Sequence, residues 1–141
     1  MGLLDLRGEV RNFLRIIEDR FVFTEAYRSN DDDSLLFSTP LLSDMERFLI
    51  FYMCNRIRYG RNLPRLLVVT IPVTNDKVAP GFTITKASGP GYELRHANEP
   101  EVRYGDDVQL VKFSHYVSLN PDEIRESALD PEGKPHFMVA V

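Results

Sequence analysis

Residues 43–64, SDMERFLIFYMCNRIRYGRNLP, carry a start signal, an apolar interior, a basic end and a stop signal within the length of one helix. Ser43 and Glu46 have the S-x-x-E spacing of a capping box, in which each side chain satisfies a backbone N–H left free at a helix start. The spacing predicts a helix from Asp44. Apolar residues run unbroken from Phe48 to Cys54, which leaves no polar face and calls for cover from other elements on most sides. Gly60 can adopt the left-handed conformation just past the end, and Pro64 prevents the helix from resuming. The segment marks the centre of a core, and its end gathers Arg56, Arg58, Tyr59, Arg61 and Arg65.

Around it, the chain reads as alternating blocks. Leu3, Leu6, Val10, Phe13, Leu14, Ile17 and Phe21 recur at helical spacing with Arg7, Arg11, Asn12, Arg15, Glu18 and Asp19 between them, which predicts an amphipathic first helix. Residues 21–38 either extend that helix or form a hairpin of FVFTEAY with SLLFST across the turn SNDDD; the β-branched and aromatic content favours the hairpin. After Pro64 come strand-like runs: LLVVTIPVT, interrupted by Pro72; GFTITKA and YELRH around the turn SGPG; EVRY; and VQLVKFSHYVSL after the turn GDD. Asn120, Pro121 and Glu123 supply the cap, first-turn proline and capping-box acid of a short helix, and HFMVAV reads as a terminal strand. The order predicts a single α+β domain over residues 1–141. In it, two N-terminal helices pack on a mainly antiparallel sheet or small barrel of about five strands, with a short helix before the C-terminal strand.

Composition narrows the function classes. A net charge of −4 and a pI near 5.4 argue against a general polyanion binder. One cysteine, Cys54, excludes an intrachain disulfide and suits a reducing compartment. Asp5 and Glu9 break the pattern of a secretory leader, and no apolar run has the roughly 20 residues of a membrane span. A cytoplasmic protein is expected, or one assembled from the cytoplasm into a larger particle.

No motif fixes a chemistry. The three histidines, His96, His115 and His136, lie far apart in sequence without ligand spacing, and no nucleophile elbow or phosphate-binding glycine loop is present. Asp31, Asp32 and Asp33 lack the spacing of a calcium loop and read as a solvated turn, as do Asp106 and Asp107. The sequence therefore points away from an enzyme and implies neither metal nor cofactor. Its strongest charge asymmetry is the stretch from Arg47 to Asn75, which holds no acidic residue and includes the arginine cluster. Guanidinium forks suit carboxylates and phosphates, so Arg56, Arg58, Tyr59, Arg61 and Arg65 are the candidate partner- or phosphate-binding residues. The C-terminal part is acidic, from Glu99 to Glu132, and a basic middle meeting an acidic tail would suit head-to-tail contact between subunits. The expected function is a non-enzymatic interaction or assembly protein with a protein partner or as a homo-oligomer, of the kind found in viral or phage-type particles. The alternative is a small nucleic-acid-binding domain using the same arginines with Tyr59 stacked on a base.

Overall fold

The computed structural model describes residues 10–27 and 33–140. Val10–Ile17 (β1) and Arg20–Tyr27 (β2) form an antiparallel hairpin where a first helix was expected. In its register Val10, Asn12, Leu14 and Ile16 share one face of β1, and Arg11, Phe13, Arg15 and Ile17 share the other. Apolar residues on both faces create the spacing that imitates a helix. Glu18 and Asp19 make the turn at φ 50° and 63°, positions that Asn-Gly more commonly fills. Residues 3–9 of the expected helix lie outside the described residues, as do Asp31 and Asp32 of the expected turn SNDDD.

Ser34–Thr39 (β3) pairs antiparallel with β2, so residues 21–38 form a hairpin and not a helical extension. Leu42–Gly60 (α1) follows, with Leu41 as its cap residue and no side-chain cap; the Ser43–Glu46 box does not form. At the other end Asn62, and not Gly60, takes the left-handed conformation at φ 56°. Leu63 N–H donates to Arg58 O at 3.0 Å and Asn62 N–H to Tyr59 O at 3.1 Å, the paired bonds of a Schellman stop.

Beyond α1 the expected long strand shrinks to Leu66–Leu67 (β4), and residues 70–77 are held as a loop by Lys77 Nζ, which donates to Thr70 O and Pro72 O at 2.7 and 2.6 Å. Phe82–Lys86 (β5) and Tyr92–His96 (β6) form the hairpin read from their alternation, with Ile84 opposite Leu94. Val102–Gly105 (β7) pairs with β6. Asp107–Tyr116 (α2) is helical where a strand was expected. Its start is fixed by Asp106, whose carboxylate accepts from Gln109 N–H at 3.2 Å. Pro121–Leu129 (α3) carries the reciprocal Asn120–Glu123 capping box, and Met138–Val139 (β8) pairs with β4.

The main sheet has the order β1-β2-β3-β7-β6-β5, antiparallel throughout. Among the described residues β1 and β5 are its edges, so the sheet they form is open and not a barrel. Gly105 allows β7 to cross close to β3, since a Cβ there would collide with the Leu36 carbonyl. Phe37 touches Phe48 of α1 at 4.6 Å and Phe113 of α2 at 4.6 Å, which puts both helices on one face. Between them and the sheet lie Phe23, Leu94, Met45, Leu110 and Tyr116, all fully buried. The opposite face carries polar contacts: Arg20 stacks on Tyr104 and donates to Ser38 and Val102, and Arg95 pairs with Glu93. The α+β class holds, whereas the arrangement of two N-terminal helices on about five strands does not: one helix follows three strands, and two more come after the sheet is complete.

Candidate partner-binding surface

Two ties fix α3 beside α1. Arg47 Nε donates to Leu119 O at 2.7 Å near the start of both helices, and Arg58 reaches Ala128 O and Asp130 O near the end of both. The helices therefore run side by side in the same direction.

Arg58 sits inside this junction, 2% exposed. Its guanidinium donates to Pro64 O at 2.7 and 3.2 Å, Ala128 O at 3.0 Å, Asp130 O at 2.6 Å and Pro131 O at 3.2 Å. Burial lowers its pKa, and the charge of Asp130 opposes the shift. Every donor direction is spent on backbone carbonyls, so Arg58 ties the helix end to the 128–131 turn and is closed to an outside ligand.

Arg56 is half-buried over the Tyr52 ring, 5.5 Å from its centroid, and donates to Asn12 Oδ1 at 3.3 Å. Tyr52 in turn donates to Glu25 Oε2 at 3.1 Å, and burial followed by the Glu25 charge pushes its phenol up to about 12. Arg56 thus couples α1 to the β1 edge. Tyr59, at 72% exposure, Arg61 and Arg65 remain open to solvent. The pKa of half-buried Lys112 is lowered by burial and by the charge of Arg65 nearby. The arginine cluster of the sequence is thus divided, with Arg56 and Arg58 engaged within the fold and Tyr59, Arg61 and Arg65 facing outward.

At the start of α1 lies an ion pair that sequence reading missed. Asp44 Oδ2 accepts from Arg103 Nε at 2.7 Å and Thr39 Oγ1 at 2.7 Å, with both charged side chains at most 5% exposed. Burial alone would lower the Arg103 pKa, but Asp44 and then Glu99 outweigh it and hold it above the usual value. The available signal was Arg103 on the same strand face as its register partner Leu94.

The histidines serve separate local contacts. His96 accepts from Asn98 N–H, His115 meets Lys77 O at 2.7 Å, and His136 lies 3.7 Å from Glu123. Among the described residues no group of His, Cys, Asp and Glu could hold a metal ion. Asp33 accepts from Arg15 and Thr24, and burial raises the Cys54 pKa, which keeps that thiol protonated.

The outer side of α1 is different in kind. Leu49, Ile50, Met53, Cys54 and Ile57 face Arg125 and Leu129 of α3 across an open groove of about 250 Å³. Met53 and Ile57 are 39% and 40% exposed. No helix among the described residues is long and apolar enough to cross a membrane, so this stripe is not part of a spanning segment.

Residues 3–136 match the family model described as Immunity protein 61. The chain belongs to that family. It is 28% identical over 133 residues to the "Immunity factor for TNT" of Mycobacterium tuberculosis (strain ATCC 25618 / H37Rv), covering 92% of this chain and 73% of the relative. The homologue from Mycobacterium bovis (strain BCG / Pasteur 1173P2) matches to the same extent. Among solved structures, Rv3902c from M. tuberculosis superposes with a TM-score of 0.80 at 27% identity, over 98% of this chain and 79% of that one. Membership of the Immunity protein 61 family makes this a protein that acts through a protein partner. It overturns the expectation of a viral or phage-type structural component.

Proposed function

We propose that this Immunity protein 61 chain binds a TNT-type toxin and neutralises it by covering a surface the toxin needs. The match to the family over residues 3–136, with relatives named as immunity factors for TNT, carries this reading. Supporting it are the α+β body with an apolar groove beside α1 and the exposed Tyr59, Arg61 and Arg65, residue types favoured at protein interfaces. No reaction of its own is needed, because occlusion depends on affinity and shape alone. The complex forms in the cytosol, where a lone protonated cysteine is stable. The nucleic-acid alternative loses its footing, since Arg58 is closed and Arg56 is engaged with Tyr52 and Asn12.

The test uses TNT itself. Purified chain and TNT should form a complex of equal stoichiometry in calorimetry, and co-expression should restore growth to cells producing TNT. Growth arrest unchanged by co-expression, with no heat of binding at micromolar concentrations, would overturn the proposal.

A further inference from the structure

We infer that residues 14–17 of β1, at the edge of the main sheet, receive an extended strand of the protein partner. Resting on the toxin-binding reading above, this names the surface and the mode of contact. β1 and β5 end the same sheet, but they are finished differently. β5 has five residues, ends in Lys86 and includes none of the exposed large hydrophobics. β1 has eight residues, and in it Leu14, Ile16 and Ile17 are 45%, 73% and 49% exposed. It carries no proline, no lysine and, in its pairing with β2, no bulge, the devices that commonly guard an edge. Arg15 lies over the Phe13 ring at 4.8 Å and is bonded to Asp33 at 2.6 Å, so it does not stand out to repel a strand.

Backbone chemistry selects the occupant. Ile17 and Arg20 flank a two-residue turn and form a hydrogen-bonded pair, so Arg15 and Phe13 bond to β2 in alternation, and Leu14 and Ile16 turn their N–H and C=O groups outward. Among the described residues no other strand or side chain is bonded to those groups. A helix spends its own backbone groups internally, whereas an extended strand answers these in register. Leu14 and Ile16 lie on one face of β1 and Ile17 on the other, so the added strand is apolar on both faces. Charge sets its flank. Glu18 and Asp19 at the turn are exposed and, among the described residues, in no ion pair, and Glu101 adjoins the Val102 carbonyl that Arg20 binds. The cations at this end, Arg15, Arg20 and Arg103, are already engaged. A lysine or arginine where the strand passes the turn complements these acids.

A second copy of this chain fits poorly. A two-fold axis through Leu14 sets Ile16 against Asn12, which is fully buried and closed to pairing. An axis through Arg15 sets two arginines opposite each other, and one through Ile16 sets Leu14 against Glu18, beyond the end of the strand.

The full chain tests this as wild type, Ile16→Pro, Leu14→Lys and, on the β5 edge, Thr85→Lys as a control. Ile16→Pro removes an outward N–H and no bond to β2, and Leu14→Lys leaves the backbone intact should the proline disturb folding. Circular dichroism checks each fold. The probes are TNT and a synthetic valine- and threonine-rich peptide ending in lysine. In free wild type the Leu14 and Ile16 amides should exchange with deuterium quickly and those of Phe13 and Arg15 slowly, and TNT should slow the first two. Both edge variants should bind TNT at least about 10-fold more weakly, while the control binds like wild type. If TNT binds with Leu14 and Ile16 still exchanging quickly, or binds the edge variants like wild type, the edge assignment is overturned and the toxin-binding reading stands. If wild type ignores TNT but binds the peptide with both amides slowed, the edge stands and the TNT reading falls. Binding to neither probe overturns both. Slow exchange of both amides in the free chain, whether monomer or dimer in sedimentation, would show the edge already filled and overturn the inference.

Discussion

The two ends of α1 each bury an arginine, and they do so by different physics. At the start, Arg103 is held by a full negative charge, the Asp44 carboxylate, with Thr39 completing its bonds. At the end, Arg58 has no ion-pair partner among the described residues and is held by carbonyls of Pro64, Ala128, Asp130 and Pro131. The first site compensates charge with charge. The second satisfies the fork with the carbonyl dipoles of a helix end and a turn. An arginine in a basic cluster is therefore not a free cation by default; whether it reaches a partner depends on which carbonyls the fold brings to it.

Removing the carboxylate should give the largest effect. Asp44→Ala leaves buried Arg103 with only the partly exposed Glu99, 3.1 Å away, as a counter-charge, and breaking a buried pair in this way typically costs about 3–5 kcal/mol, here at the lower end because Glu99 remains. Chemical denaturation should show that loss, and replacing both partners with apolar residues, Asp44→Leu with Arg103→Met, should recover most of it. If the single substitution costs less than about 1 kcal/mol, water reaches the pair and the contrast between the two ends disappears.

The carbonyl cage comes next. Arg58→Met fills similar space but leaves several acceptors unbonded, a loss of roughly 2–4 kcal/mol given about 1–3 for a buried unsatisfied group and some rescue by water. Arg58→Lys should lose less, because an ammonium can meet some of the carbonyls but not all the directions of the fork. Equal losses for Lys and Met would show that planar geometry matters more than charge at this end. Toxin binding at saturating concentration should survive Arg58→Lys, since that side chain faces inward.

These two sites also mark the boundary of what the sequence discloses. The apolar body of α1, the β5–β6 hairpin and the cap of α3 were readable because each signal is local: an unbroken apolar run, a clean alternation, an Asn-Pro-x-Glu start. β1 was not, because an edge strand with Leu14 and Ile16 on one face and Phe13 and Ile17 on the other has no single polar face, and Glu18-Asp19 is a weak turn signal. α2 was mistaken for a strand because its β-branched and aromatic residues outweighed the D-x-x-Q start at Asp106 and Gln109. At the candidate site, Arg58 and Arg61 look alike in sequence. The distinction comes from Ala128 to Pro131, about 70 positions away, whose carbonyls close on one and not the other.

The smallest predicted effects concern how α1 starts and stops, and they sharpen the same contrast. Its stop is built: Asn62 holds a left-handed conformation that lets Leu63 and Asn62 bond back to Arg58 and Tyr59. Asn62→Ala forces a Cβ-bearing residue without a compensating side chain into that region and should cost about 1 kcal/mol, whereas Asn62→Gly should be neutral or slightly favourable. Its start is not built from the box the sequence advertises. Ser43 is exposed and Leu41 caps without a side chain, so Ser43→Ala should change stability by less than about 0.5 kcal/mol. Thermal melts of the three variants separate the cases, with about 3 °C lost for Asn62→Ala and no resolvable change for Ser43→Ala. A Ser43→Ala loss as large as that of Asn62→Ala would mean the capping box forms in solution and α1 begins where its sequence says.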